Sequence, residues 1–424
     1  MKIRKLFAMA ALPLLAAALG SPATAQQAPD QPDNAAMMQK IHELEDRVIS
    51  LEGQLRILKS QQAPAPEPAQ AAAPPPAMPV SSASGTQPVT LGGAGGSAAK
   101  ALNPDISVIG DFISVAGHNP ISPSPSFQMH ESELGLQAII DPYARGDFFL
   151  SFGEEGVDLE EGYITFTALP AGFVAKVGKM RSAFGKVNTL HNHVLPWVDR
   201  PLVTNNLVGG EDGLDDAGVS LTRILPAPKW LFLEATGQVF RGDAGDSQHP
   251  LFRASTKSDV SAVAHLRGYR DLNESTNLDI GLSYARGHND LGSNFVTQLY
   301  GVDATLRWKP LRRSIYHSFV GRGEFIWSQR QQLPFVQRAF GLYASGDYQL
   351  GRRWFVGGRF DRSDRSEFAA LTDKGGSVVL TYWPSEFSQV RGQYRFTRYP
   401  GNIDAHELLM QVQFSLGAHG AHPF

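Results

Sequence analysis

Strand-like segments follow one another from about residue 103 to 416, joined by short turns in alternation with longer polar loops. Turns fall at Asp141-Pro142, Leu169-Pro170-Ala171-Gly172, Pro226-Ala227-Pro228-Lys229, Asp271-Leu272-Asn273, Lys309-Pro310-Leu311-Arg312-Arg313, Gly351-Arg352-Arg353 and Pro384-Ser385-Glu386. Loops lie between them at about 117–128, 153–156, 181–214, 241–256, 287–294, 328–334, 363–374 and 399–404. Short turns on one side and long loops on the other mark an antiparallel barrel of the outer-membrane kind, with an even strand number. Seven turns and eight loops predict sixteen strands, with about 14 or about 18 as alternatives. The expected fold is all-β: a 16-stranded antiparallel transmembrane β-barrel over 103–424, preceded by a short α-helical coiled coil.

Period-two alternation supports the strands. Leu408, Met410, Val412, Phe414 and Leu416 share one face; Glu407, Gln411, Gln413 and Ser415 share the other, with Leu409 out of place. A half-exposed sheet of a soluble sandwich would alternate in the same way. The connections and the indoles favour the barrel. Trp230, Trp308, Trp354 and Trp383 each stand beside a tight turn. Indole favours the membrane–water boundary, so the four are expected to form one aromatic girdle.

The N-terminus reads as an export signal. Lys2, Arg4 and Lys5 precede an apolar run, and Ala23-Thr24-Ala25 follows, so cleavage is expected before Gln26. An uncleaved anchor is the alternative. The chain has no Cys, so stability must come from another source than disulfides, such as a continuous hydrogen-bonded sheet. A hydrophobic fraction of 42% is too low for a bundle of membrane helices. Net charge is −3 with no basic block in the mature chain, which argues against nucleic acid as a partner.

Ile41, Leu44, Val48, Leu51, Leu55 and Leu58 form a heptad seam with charged flanks, predicting a coiled-coil helix over 37–62. An amphipathic helix docked on a core would share part of this pattern. Residues 63–100, rich in Pro, Ala and Gly, form a tether able to reach on the order of 100 Å. An even strand number puts both barrel ends on the turn side, so the coiled coil and the C-terminus are expected in the periplasm. The seam could also grip the cell wall, making the barrel an anchor between envelope layers.

Sixteen strands enclose more space than their side chains fill, leaving a water channel unless it is plugged. The third loop, 181–214, is the longest and is expected to fold inward and narrow the lumen; packing over the mouth is the alternative. Candidate pore-lining or constriction residues are Lys176, Lys179, Arg181, Lys186, Arg200, Arg307, Arg322, Arg359, Arg391 and Arg395, faced by Glu211, Asp212, Asp215 and Asp216. Each arginine has a plain alternative as a salt bridge in the wall or a rim group. Acidic and basic walls would impose a transverse field that favours small polar solutes. His191 and His193 are candidate metal ligands, with Asp199 as a carboxylate partner; a hydrogen-bonded pair is the alternative. His419 and His422 are a further pair. Glu154, Glu155, Asp158, Glu160 and Glu161 suggest a solvated loop, or a patch bridging calcium or lipopolysaccharide. No nucleophile, metalloprotease or phosphate-loop motif is present, so neither catalysis nor a cofactor is expected.

The run Gly178-Lys179-Met180-Arg181-Ser182-Ala183-Phe184-Gly185, followed by Arg200-Pro201, resembles the strand-to-loop segment of the phosphate-selective porin O/P superfamily. That resemblance implies a homotrimeric sixteen-stranded channel in the outer membrane, surrounded by lipid and lipopolysaccharide. Some related porins carry an N-terminal coiled coil. The resemblance assigns no solute.

Overall fold

The computed structural model describes residues 104–417, apart from 154–155 and 247–248. The signal 1–25, the coiled coil 37–62, the tether 63–100, Glu154, Glu155 and the tail with His419 and His422 lie outside the described residues.

Sixteen strands follow in chain order. They are β1 (Asp105–His118), β2 (Phe127–Asp141), β3 (Ala144–Gly153), β4 (Gly156–Phe166), β5 (Phe173–Arg181), β6 (Asp215–Ile224), β7 (Phe232–Phe240) and β8 (Ser261–Asn273). After them come β9 (Thr276–His288), β10 (Val296–Trp308), β11 (Phe319–Gln332), β12 (Phe335–Gln349), β13 (Trp354–Asp364), β14 (Thr372–Ser385), β15 (Ser388–Tyr399) and β16 (Ile403–Gly417). Each pairs antiparallel with its sequence neighbour, and β1 closes on β16 from Ser107 opposite Gly417 to His118 opposite His406. Closure leaves no open edge, which is what a sheet in lipid requires.

The polarity of the wall is inverted relative to a soluble protein. On β16, Leu408 is 58% exposed and Leu416 60%, whereas Gln411 is 1% and Gln413 3%. Apolar side chains face outward toward lipid, and polar ones face a filled interior. Leu409, out of place in the pattern, is a lumen residue packed with Ile113 and Val198.

Three connections differ from expectation. The loop placed at 328–334 is a two-residue turn, because β11 runs to Gln332 and β12 begins at Phe335. The polar run Gln329–Gln332 continues the ladder instead of ending it. The loop after β7 extends to residue 260, and the turn after β10 spans 309–318. The girdle also changes. Trp354 packs at a tilt against Tyr382 with ring centroids 4.5 Å apart, and Trp230 lies 4.7 Å from the Arg270 guanidinium. Trp308 falls on the outward register of β10 with Tyr300 and Leu306. Trp383 sits on the inward register of β14 and lines the lumen on the turn side, because Tyr382 takes the outward place.

Gly178 in β5 has φ 144°, and a Cβ there would lie 2.1 Å from the Gly162 carbonyl oxygen. Gly178→Ala should therefore destabilise the barrel by roughly 1–3 kcal/mol or more. Lowered denaturation midpoints, read by heat-modifiable gel mobility, would show it.

Candidate functional site: a loop docked across the lumen

The third loop folds into the barrel. Its apolar residues Phe184, Val187, Leu195, Trp197, Val203 and Leu207 are almost fully buried, in one cluster with Ile326, Ala339 and Tyr343 of the wall. Burying a side chain of this size gains roughly 1.5–3 kcal/mol. The helix α1 (Leu202–Leu207) packs on β12 and β13. Inward glycines make the room: a Cβ at Gly341 would meet Val203, one at Gly301 would meet Phe184, and one at Gly375 would meet Leu202. Gly287 similarly accommodates Phe252 of the fourth loop.

Hydrogen bonds pin the start of the loop. Gly185 N donates to Ser283 Oγ at 2.9 Å, while Lys186 N and Val187 N both donate to Glu324 Oε1 at 2.6 and 2.7 Å. Gly185, at φ 62°, turns the chain there. The conspicuous run from Gly178 to Gly185 is thus the hinge that sends the loop inward. Arg200 acts as a clip inside the loop. Its guanidinium donates to Asn192 Oδ1 and to the carbonyls of Val187 and Leu190. Burial, reinforced by the Arg181 charge, outweighs the pull of Glu211 and Glu160 and lowers its pKa to about 10.

The loop meets two charged arcs of wall with matching charges. On β13 and β15 stand Arg359, Arg391 and Arg395, all on the inward register. Asp199 reaches them: Arg359 donates to its Oδ2 at 3.0 Å, Arg395 at 2.9 Å, and Gln393 to its Oδ1 at 2.5 Å. Burial works against this carboxylate, but the two guanidinium charges outweigh it and hold the pKa at about 2. Arg391 donates to the Trp197 carbonyl at 3.0 Å, and Arg359 lies 4.8 Å from the Trp197 ring. These three arginines therefore hold the loop to the wall.

On β2 and β4 stand Glu131, Glu133, Glu160 and Glu161. A bulge in each strand brings neighbouring side chains to the same level, one between Met129 and Glu131, the other between Leu159 and Glu161. Glu160 and Glu161 are buried lumen groups, not a solvated loop patch. His191 sits among these carboxylates. Its Nδ1 lies 2.7 Å from Glu133 Oε2, and its Nε2 lies 2.8 Å from Glu161 Oε2. Carboxylates only accept, so both ring nitrogens donate. Burial would lower the imidazole pKa; the hydrogen bonds to Glu133, Glu160 and Glu161 instead hold it well above its ordinary value. Asp199, the expected partner of the histidines, is engaged with arginines instead.

The remaining candidates divide between two chambers. On the turn side of the loop, a cavity of about 170 Å³ is lined by Lys186, Arg307, Arg322 and Arg391, with Asp347 as its carboxylate. It shares Arg307 and Trp383 with a cavity of about 790 Å³ at the turn-side mouth. On the loop side, a cavity of about 740 Å³ is lined by Lys179, Arg181, Glu211, Asp212 and Asp215 among others. Lys176 is inward, 4.3 Å from the Tyr163 ring, but Lys179, Arg181 and Asp215 take the opposite register near the rim. There Lys179 pairs with Asp215 at 3.1 Å, and Arg181 pairs with Glu160. Asp216 is buried and accepts from Gly242 N and Asp243 N. Sequence reading missed Glu131, Glu133, Glu324 and Glu407. Glu131 and Glu133 are spaced by two, a signal that alternation alone could have supplied.

No family model matches the chain. A protein of Aquifex aeolicus (strain VF5), described as uncharacterized, is 28% identical over 384 residues, covering 77% of this chain and 81% of that protein. Among solved structures, a loop L8 deletion mutant of OmpT, an outer membrane protein of Vibrio cholerae, aligns with TM-score 0.52 and 10% identity. That alignment covers 74% of this chain and 100% of the other. The trimer form of in-vitro folded OmpT aligns with TM-score 0.50 and 9% identity, covering 74% and 100%. At such identities the likeness concerns architecture: the chain folds as a closed sixteen-stranded barrel of the outer-membrane type.

Proposed function

We propose that this barrel is a porin, a passive outer-membrane channel for small hydrophilic solutes with a bias toward anions. The observation that carries the reading is a polar interior within an apolar shell, spanned by a docked loop with cavities on both of its sides. The basic chamber formed by Lys186, Arg307, Arg322 and Arg391 supports the anion bias, since like-charged rings at close quarters select ions. Transport of this kind needs no catalytic group and no cofactor. Three copies would associate in lipid and lipopolysaccharide, a reading supported by the trimeric form of the OmpT structure and by the sequence resemblance. Both barrel termini lie at the turn end, which fits a periplasmic coiled coil and C-terminus.

Purified protein in planar bilayers should show stepwise conductance and a reversal potential of anion-selective sign in a salt gradient. A folded barrel that carries no current would overturn the channel reading. The heptad seam at 37–62 supports a second role as an envelope tether. Deleting those residues should leave conductance intact and detach the protein from the cell wall.

A further inference from the structure

We infer that the third loop and strand β2 together form a binding site for one divalent transition-metal ion of the zinc or copper class, with His191, His193, Glu131 and Glu133 as ligands. One donor atom from each of these four lies within 4.8 Å of all the others. His193 Nδ1 is 3.9 Å from Glu131 Oε1 and 3.7 Å from Glu133 Oε2. A tetrahedral zinc ion with bonds of about 2.0–2.1 Å separates its ligand atoms by about 3.4 Å. The two His193 distances need to contract by a few tenths of an ångström, and the 2.7 Å contact between His191 Nδ1 and Glu133 Oε2 needs to open. The ion would take the place of the proton that these two atoms share, so uptake releases that proton to solvent.

Three observations point to a ligand beyond the cluster itself. Glu131 is only 5% exposed, yet neither carboxylate oxygen has a hydrogen-bond partner at close range, and the imidazole facing it, His193 Nδ1, stands 3.9 Å away. A buried carboxylate left in that state is costly unless a cation meets it. Second, the outer nitrogen of His191 is already bonded to Glu161 at 2.8 Å. A carboxylate behind the imidazole is the usual way a metal-binding histidine is oriented and its basicity raised. Third, two imidazoles with two carboxylates make a borderline donor set that suits zinc or copper better than calcium or magnesium. Access exists as well, because Glu131 lines the large cavity on the loop side. An ion there would bind the loop to the β2 wall. The site stands whether or not the barrel conducts.

The test uses metal-free, folded full-length protein in detergent, titrated with zinc chloride in a calorimeter. One ion per chain is expected. Glu131→Gln and His193→Ala should each weaken binding at least tenfold, and Glu161→Gln by about 10–100-fold. The double variant His419→Ala/His422→Ala, which removes the tail histidines, should bind as the parent does. Should the lumen variants fail to fold, copper(II) bound to the unaltered protein supplies the second measurement. Its electron paramagnetic resonance spectrum should show coupling to two imidazole nitrogens. Absence of zinc uptake, uptake unchanged in folded Glu131→Gln/His193→Ala, or a copper spectrum without imidazole coupling would overturn the site.

Discussion

Replacing Asp199 by alanine should free the middle of the third loop and raise single-channel conductance severalfold, with noisier open levels. The substitution removes the loop carboxylate that Arg359 and Arg395 share, while Arg359 keeps Asp361 and Arg395 keeps Glu407 on the wall. Both guanidinium groups keep a wall carboxylate, so the loss stays below the roughly 3–5 kcal/mol of a buried charge left alone and falls mainly on the loop, which loses its anchor. Apolar packing of Trp197 and Val203 would remain, so the loop should loosen without the barrel opening. The unaltered protein should show the same behaviour in acid. The Asp199 carboxyl sits at about 2 against an ordinary 3.8. A depressed pKa stabilises the folded form above the ordinary value and loses that contribution as pH falls. The gap is worth about 2 kcal/mol at neutral pH, and it should vanish between about pH 4 and pH 2. Conductance recorded across that window should rise in the parent and stay flat in Asp199→Ala. A flat parent trace would remove Asp199 from the role of anchor.

Reversing the charges at Arg307 and Arg322 should turn an anion preference into a cation preference. Both line the turn-side chamber, and their side chains remain 30% and 20% exposed. Arg391 and Arg395 are poorer probes of selectivity, because both also hold the loop through Trp197 and Asp199. An ion passing about 8 Å from one guanidinium, at an effective dielectric of about 40, feels about 1 kcal/mol. Each reversal to glutamate doubles that change, so Arg307→Glu/Arg322→Glu should shift the permeability ratio by more than tenfold at low salt. The shift should shrink as salt rises and the Debye length falls to about 3 Å near 1 M. Reversal potentials in a salt gradient measure it directly, and an unchanged value would take both residues out of the conduction path.

The strand count was legible because each turn carries its own Pro, Gly or Asp signal and because lipid outside and water inside force a strict alternation. The loop at 328–334 was misread for a local reason. Polar residues above the lipid belt look like a loop, although the ladder of β11 and β12 continues through them. Trp383 was misassigned because standing beside a turn fixes its height on the wall but not its face. The length of the third loop announced its importance, but not its partners. Those come from strands far away in sequence and depend on two bulges that shift register by one residue. The docking surface was hidden in another way. Gly287, Gly301, Gly341 and Gly375 read as neutral members of polar faces, and only the loop lying against them shows why no larger side chain stands there.

The third loop is held at both ends of its crossing, by Glu133, 58 residues before His191, and by Arg395, 196 residues after Asp199. No sheet of consecutive strands shorter than the span from β2 to β15 offers both handholds. The loop can therefore settle only once nearly the whole wall, from β2 to β15, stands in place.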